Sequence, residues 1–485
     1  MRKFSAVLMC LMLLGSLLAA CGGGGKNNAS DKANNGGATP GNTGSTNTAT
    51  TDEPKDDITQ RKVTLKIHYP LPDETTLRTQ EDDKIARFQA KYPNVTIIKD
   101  DWQYDINEIG VKMASNEAPT FYNTWATEAN FLVERGWVAD ISDLWNNWEY
   151  KDEINPVLQN QFIVDGKVYG ITQNGYITST VVNKKILDDK GVAVPSLDWT
   201  WDDMYNTAKA AADPKKGISG IAPMGKGNEA GWNWTNFLFE AGGDIESNTD
   251  GKVTAAFNTD AGVKALDFYK KLKWEANAIP QDWALGWGDA VSSFQQGRTG
   301  MVIAGAFDVV QAALNEGGMK PEDVLVYPMP AAEAGGKHYG ILGGNYLVIN
   351  PNATKDEQEM AFRYITFDYF ADDALKATED TINARKAEGK YYVPTPLEYF
   401  KDDSEYASKI QAIYNKYDNV YKYDSNLFSL LEGKPEAQFG TQDYYATMSN
   451  VVQESFSKKD TDSKKQLDIA AQYVQENYFD KIAAK

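Results

Sequence analysis

Apolar and polar residues alternate along the chain in the patterns of strands and helices, starting near residue 61. Residues 63–67 (VTLKI) have the two-residue period of a β-strand, and residues 95–98 and 121–125 predict two further strands. Helical periodicity separates these segments, which predicts an α/β fold with a parallel sheet and helices on its faces. The helices predicted in this part cover 82–91, 106–115 and 129–135.

The same alternation returns in the second half of the chain. Strands are predicted at 301–304 and 346–349, with a turn at 343–346 that opens the second of them, and the chain beyond residue 371 is mostly helical. Thr200 with Asp203, and Thr354 with Glu357, have the spacing of a helix N-cap and its acidic partner. The helices predicted in this half cover 201–212, 234–241, 259–274, 288–296, 308–315 and 354–370.

Residues 165–201 combine several elements in a short stretch. Asp165-Gly166 predicts a tight hairpin turn, and Asn174-Gly175 predicts a second turn before the apolar run 176–182. A helix is predicted to begin near Asn183. We expect the chain to leave one domain and enter another here.

The first residues have the features of an export signal. Arg2 and Lys3 precede an apolar run, 4–18, that is short for a membrane span. The run ends in Leu-Ala-Ala-Cys21, which resembles the bacterial lipobox and implies cleavage before Cys21 and lipid attachment to its sulfur. We therefore expect a signal peptide at 1–20 and a lipidated, disordered tether at 21–60. The alternative is an ordinary secretory signal with an incidental cysteine.

Cysteine content and charge narrow the classes of function. The only cysteines are Cys10, in the predicted signal, and Cys21, so thiol chemistry is not expected in the exported protein. The net charge of −19 opposes binding to nucleic acid, which requires basic surface. No membrane contact other than the lipid anchor is expected.

Several short motifs occur in an order that resembles one family. They are ARFQAKYP at 86–93, GWVADI at 136–141, DGKVYGI at 165–171, TWDD at 200–203, GGD at 242–244, FQQGRTGM at 294–301 and YPMP at 327–330. Together they are similar to family 1 extracellular solute-binding proteins, the lipoprotein receptors of bacterial ABC importers. Departures from the family pattern occur at Thr120, Val182 and Phe307.

The resemblance implies a two-lobed periplasmic-binding-protein-like fold with a ligand cleft between the lobes. It places lobe one at 61–174 with 338–372 and lobe two at 175–337 with 373–485, and Asn174-Gly175 becomes the expected hinge. The implied function is capture of a sugar or oligosaccharide and its delivery to an ABC transporter permease. We expect a monomer, anchored by lipid on the extracytoplasmic face of the cell membrane.

Aromatic residues supply the candidate ligand contacts. The chain has 12 Trp, 26 Tyr and 19 Phe, and many stand beside Asn or Gly in predicted loops. A flat ring can cover the apolar face of a sugar while polar neighbours bind its hydroxyls. Trp137, Trp145, Trp148 and Trp201 are expected to be structural. The predicted ligand-binding residues are Tyr69, Trp125, Asn174, Tyr176, Trp232, Trp234, Trp283, Trp287, Phe307, Asn345 and Tyr346.

Sequence signatures of enzymes and metal sites are missing. His68 and His338 stand alone, and no nucleophile elbow, zinc motif or phosphate-binding loop is present. Residues 246–257 faintly resemble a calcium loop, but Phe257 occupies the position that needs an acidic ligand, so we expect a hairpin turn at Asp250-Gly251. No catalysis, cofactor or metal is expected. Two alternatives stay open: a receptor for a peptide, amine or metal chelate, and a surface glycan-degrading enzyme.

Overall fold

Two long antiparallel strands, Ile171–Asn183 and His338–Ile349, connect the two halves of the folded region. The structure is a computed structural model that describes residues 57–72 and 74–482, so the predicted signal peptide, Cys21 and most of the tether lie outside the described residues. The strands are β1 (Val63–His68), β2 (Val95–Asp100), β3 (Phe121–Trp125), β4 (Ile163–Val164), β5 (Lys167–Val168), β6 (Ile171–Asn183), β7 (Glu246–Thr249), β8 (Lys252–Ala255), β9 (Met301–Gly305), β10 (Val324–Tyr327), β11 (His338–Ile349) and β12 (Leu431–Pro435).

Helices flank these strands and dominate the C-terminal part of the chain. They are α1 (Thr75–Lys91), α2 (Ile109–Ala114), α3 (Ala129–Glu134), α4 (Ser142–Asn146), α5 (Pro156–Gln159), α6 (Lys184–Asp189), α7 (Trp201–Ala211), α8 (Gly227–Glu240), α9 (Asp260–Trp274), α10 (Trp287–Gln295), α11 (Ala306–Asn315), α12 (Lys355–Ile365), α13 (Asp372–Ala387), α14 (Glu405–Tyr414), α15 (Leu427–Leu430), α16 (Thr441–Ser457) and α17 (Ser463–Asn477).

β6 and β11 belong to both halves of the sheet. The order is β10-β6-β11-β3-β1-β2, with β9 also paired to β6 and β12 also paired to β11. The predicted parallel pairing is correct for β1, β2 and β3. It is wrong for β6, which runs antiparallel to β9, β10 and β11, because the chain crosses between the halves in extended strands rather than through a helix.

Separate hydrophobic clusters lie on the two sides of these strands. One surrounds β1 and includes Leu65, Phe88 and Ile349, all buried. Another is built on α7, α8 and α16 and includes Trp199 and Trp234. A smaller cluster lies under α13 and α14. The fold is therefore mixed α/β with more than one core, as expected for its length.

The two predicted hairpin turns are confirmed. Asp165 and Gly166 connect β4 and β5 with φ values of 51° and 77°. Asp250 and Gly251 connect β7 and β8 with φ values of 53° and 80°, so residues 246–257 form a hairpin as predicted. Two consecutive positive φ values are the signature of the turn that matches the twist of antiparallel strands.

The turn predicted at Asn174-Gly175 is wrong, as is a turn predicted at 343–346. Asn174 pairs with Asn345 and Gly175 with Gly344, so the two predicted turns lie side by side inside β6 and β11. The register shifts at this point, which leaves Gln173 as an additional residue in β6. Gly175 is needed for packing, since a Cβ there would lie 2.1 Å from a methyl carbon of Leu158.

The predicted N-cap of α12 gives a stability test. The Thr354 hydroxyl accepts from the Glu357 backbone N–H at 3.3 Å, and the Glu357 carboxylate accepts from the Thr354 N–H at 2.8 Å. Thr354→Ala should lower the free energy of unfolding by about 1 kcal/mol, measured by denaturant titration. Thr354→Ser keeps the hydroxyl, so its free energy of unfolding should fall by less than that of Thr354→Ala. Equal losses in the two variants would contradict a role for this bond.

Candidate functional site

A cavity of about 390 Å³ lies beside β6, where elements from distant parts of the chain converge. Its walls come from the end of β3, from β6, from the N-terminal turns of α8, α10 and α11, and from the chain around α16. The residues that line it are Trp125, Thr127, Tyr176, Asn228, Glu229, Trp232, Trp287, Gly305, Asp308, Glu436, Gln442 and Tyr445.

The first turns of α8 and α10 position two of the tryptophans. Glu229 and Trp232 stand three residues apart on α8 and therefore lie on one face of the helix. The Glu229 carboxylate accepts a hydrogen bond from the backbone N–H of Trp287 at 2.6 Å. This bond ties the start of α10 to α8 and holds Trp232 and Trp287 at the same cavity.

Glycines make room for the ring of Tyr176. A Cβ at Gly343 would lie 2.3 Å from both Cζ and the hydroxyl oxygen of Tyr176, so the ring lies directly over the glycine of the neighbouring strand. Gly305 also lies beside the tyrosine, since a Cβ placed there would be 3.4 Å from the Cβ of Tyr176. Trp232 approaches edge-on, with ring centroids 6.3 Å apart and planes at 76°. Burial raises the pKa of Tyr176 well above its usual value, so the hydroxyl keeps its proton.

Trp125 adds apolar surface to the lining of the cavity. It ends β3 and remains 42% exposed, although its ring packs edge-on against Tyr104 at 5.5 Å. An indole held by a neighbour but open on one side is suited to stacking on a flat apolar ligand surface.

Carboxylates dominate the polar part of the cavity. Burial raises the pKa of Glu436 to about 7, although the Tyr445 hydroxyl donates to its Oε1 at 2.6 Å. Asp308 is exposed at the start of α11, but partial loss of water around its carboxylate raises its pKa, and the carboxylate accepts no hydrogen bond from the described residues. Behind the wall, Glu128 is buried and accepts from the hydroxyl of Tyr104 at 2.7 Å. Desolvation, and to a smaller extent Asp443, raises the pKa of Glu128.

Four predicted residues come together in this cavity: Trp125, Tyr176, Trp232 and Trp287. Three others are buried away from it. Trp234 is fully buried in the α7–α8–α16 cluster, because two residues along a helix turn a side chain to the other face. Tyr346 stacks on Phe162 and donates to the carbonyl of Leu158 at 2.6 Å. Tyr69 donates to Asp82 at 2.8 Å beneath the side chains of Arg78 and Lys99.

The remaining four predicted residues also lie outside the cavity. Asn345 donates to the Asn174 side-chain oxygen at 2.8 Å, so these amides satisfy each other across β11 and β6. Trp283 packs edge-on against Phe456 at 5.7 Å. Phe307 is half-buried against the cluster around α10 and α11, while its neighbours Gly305 and Asp308 line the cavity. A helix that starts at Ala306 turns successive side chains in different directions, which separates Phe307 from Asp308.

Sequence reasoning missed most of the polar lining. Glu229 and Asp308 could have been found from their spacing to Trp232 and to the glycine at the end of β9. Glu436, Gln442 and Tyr445 come from the C-terminal part of the chain, and no local pattern connects them with the other residues.

The described residues contain no group of three or more His, Cys, Asp or Glu side chains arranged to hold a metal ion. None of the helices in the described part combines the length and apolar character required to cross a bilayer.

Comparison with protein families decides the class of the protein. Residues 73–374 match the model of the bacterial extracellular solute-binding protein family. The chain belongs to this family. Members are extracytoplasmic binding proteins, which confirms the resemblance inferred from the ordered motifs. A relative from Brucella abortus (strain 2308), named as a binding protein, is 25% identical over 270 residues. The alignment covers 54% of this chain and 62%, less than two thirds, of the relative.

Solved structures of solute-binding proteins have the same fold. A Thermotoga lettingae ABC transporter solute-binding protein bound with α-D-tagatose aligns at a TM-score of 0.64 and 21% identity, covering 85% of this chain and 99% of that one. A Listeria monocytogenes ABC substrate-binding protein in complex with cycloalternan aligns at a TM-score of 0.66 and 17% identity, covering 86% of this chain and 98% of that one. The GacH receptor of Streptomyces glaucescens aligns at a TM-score of 0.64 and 16% identity, covering 86% of this chain and 98% of that one. These matches confirm the two-lobed binding-protein fold.

Proposed function

We propose that this solute-binding protein captures a sugar or oligosaccharide in the cavity beside β6 and delivers it to an ABC transporter permease. The main support is that three tryptophans, Trp125, Trp232 and Trp287, converge with carboxylate and amide side chains on one cavity. Sugar rings have apolar faces that stack on indoles and hydroxyls that donate to carboxylates.

The structural neighbours support the same class of ligand. Their structures were determined with α-D-tagatose, cycloalternan and, for the GacH receptor, acarbose. All three ligands are sugars or close relatives of sugars. We extend this class to the present chain, together with transport by an ABC importer.

Incubation with a mixture of oligosaccharides separates a receptor from a glycan-degrading enzyme. A receptor is stabilised by its ligand, so the melting temperature rises with sugar concentration and no new reducing ends form. Reducing ends that accumulate with time would show turnover and refute the proposal. The absence of stabilisation by any sugar would favour a receptor for another solute.

The lobe assignment is part of the proposal. Lobe one comprises 61–174 with 338–372, and lobe two comprises 175–337 with 373–485. The hinge lies where Gln173 is the additional residue of β6, beside the Asn174–Asn345 pair. Ligand would close the lobes by bending these strands, and the permease would recognise the closed monomer.

Lipid attachment at Cys21 is proposed as the membrane anchor. Cys21→Ser removes the sulfur that would carry the lipid, so the protein should move from the membrane fraction to the soluble extracytoplasmic fraction. Fractionation followed by immunoblotting measures this shift. Cys10→Ser is the matched control and should leave the protein with the membrane. A Cys21→Ser protein that stays with the membrane would contradict the anchor.

A further inference from the structure

The carboxylates of the cavity have no positive partner in the described part of the chain. Glu229, Asp308 and Glu436 line the cavity, and its lining includes no lysine, arginine or histidine. Lys226, just before α8, is exposed and does not line it. The negative charge therefore faces the space that a ligand would occupy.

Glu436 is a cavity carboxylate whose negative charge is not balanced by a positive group in the described residues. Its Oε1 accepts from the Tyr445 hydroxyl, and no other described residue donates a hydrogen bond to the group. Burial and, less strongly, the nearby Glu128 raise its pKa. Burying negative charge without a positive partner is unfavourable, so a cationic ligand group would gain free energy here that a neutral group would not.

The aromatic walls favour the same kind of ligand. Trp125, Trp232 and Trp287 line the cavity together with Tyr176 and Tyr445. The face of an indole attracts a cation through its quadrupole, and the attraction is stronger in a desolvated site. Stacking of a sugar and attraction of a positive group can thus act in one cavity.

We propose that the sugar recognised here carries a protonated amine, which Asp308 and Glu436 receive. This inference rests on the proposed sugar-binding function. Hydroxyls of a neutral sugar can donate to both carboxylates, but they leave the negative charge of the site uncompensated. An acidic sugar would add to the repulsion. The observations therefore favour amino sugars and their oligomers over neutral, N-acetylated or acidic ones.

Matched sugars test the proposal on the full-length protein. Glucosamine, glucose and N-acetylglucosamine, and the β-1,4-linked dimers and trimers of each, differ at one substituent of the ring. Isothermal titration near neutral pH should show the amine member binding at least about tenfold more tightly than its neutral counterpart. The preference should shrink with added salt, because salt screens a charge interaction.

Two variants distinguish the failure of this inference from the failure of the proposed function. Asp308→Asn and Glu436→Gln should each lose the preference for the amine. Asp202→Asn is the control, because Asp202 is also an exposed acid in the first turn of a helix, α7, and lies outside the cavity. If Glu436→Gln fails to fold, Asp308→Asn alone tests the amine preference, because Asp308 is exposed and its replacement does not disturb a core.

Equal or tighter binding of neutral or N-acetylated sugars would overturn the amine preference and leave sugar binding intact. Asp308→Asn and Glu436→Gln proteins that both keep the preference for the amine would likewise overturn the proposed role of these carboxylates and leave sugar binding intact. Failure of every sugar in the series to bind would overturn both proposals.

Discussion

Replacement of Trp232 or Trp287 by alanine should weaken sugar binding by about 10- to 100-fold, equivalent to about 1.4 to 2.8 kcal/mol, without unfolding the protein. Both indoles line the cavity and neither is fully buried, so truncation removes ligand contact rather than the centre of a core. Titration with the sugar that stabilises the protein most gives the affinity, and circular dichroism reports the fold.

Trp102→Ala is the matched control for this pair. Trp102 is also half-buried, packs edge-on against Tyr104 and donates to Glu108 at 2.8 Å, but it does not line the cavity. It should lose some stability and keep its affinity for the sugar. Unchanged affinity in both Trp232→Ala and Trp287→Ala would refute the assignment of this cavity.

Gly231→Ala should lower the free energy of unfolding by about 1–3 kcal/mol, although alanine is the better helix former. A Cβ at Gly231 would lie 2.3 Å from the backbone oxygen of Tyr445, so no rotation of a side chain can relieve the clash. Helices α8 and α16 would have to separate. They provide Trp232 and Tyr445 to the cavity, so sugar affinity should fall as well.

The control for this change is Gly288→Ala in α10. No atom lies within 4 Å of a Cβ at that position, so only helix propensity changes and stability should stay equal or rise by up to about 1 kcal/mol. Denaturant titration of the two variants side by side gives the comparison. A Gly231→Ala protein as stable as Gly288→Ala would show that α8 and α16 are not in close contact at this point.

Local signals in the sequence predicted most elements of the fold. The alternation at 63–67, the Asp-Gly pairs at 165–166 and 250–251, and the caps at Thr200 and Thr354 each act over a few residues. Local rules failed at Asn174-Gly175, because an equivalent Gly-Asn pair on β11 provides strand partners for both residues. Pairing between residues more than 150 positions apart overrode the turn preference.

The sequence predicted residues of the candidate site only where an aromatic side chain stands at or near the end of an element. Trp125, Tyr176, Trp232 and Trp287 stand at or near the ends of elements, and aromatic type together with that position identified them. Trp232 and Trp234 stand two residues apart in the same aromatic stretch of α8. They differ only in the face of the helix on which they lie, which places Trp234 in the core and Trp232 at the cavity. Glu436 and Tyr445 reach the cavity through tertiary packing of α16 on α8, which no local pattern encodes.

Continuity of β6 has a mechanical consequence. Tyr176, which lines the cavity, stands three residues beyond Gln173, the additional residue at which the strand's register shifts. A bulge increases the local twist of the strand that contains it. Tyr176 therefore enters the cavity from a part of β6 whose twist is increased by the bulge, so the strand that joins the two halves of the sheet also sets the direction of a cavity side chain.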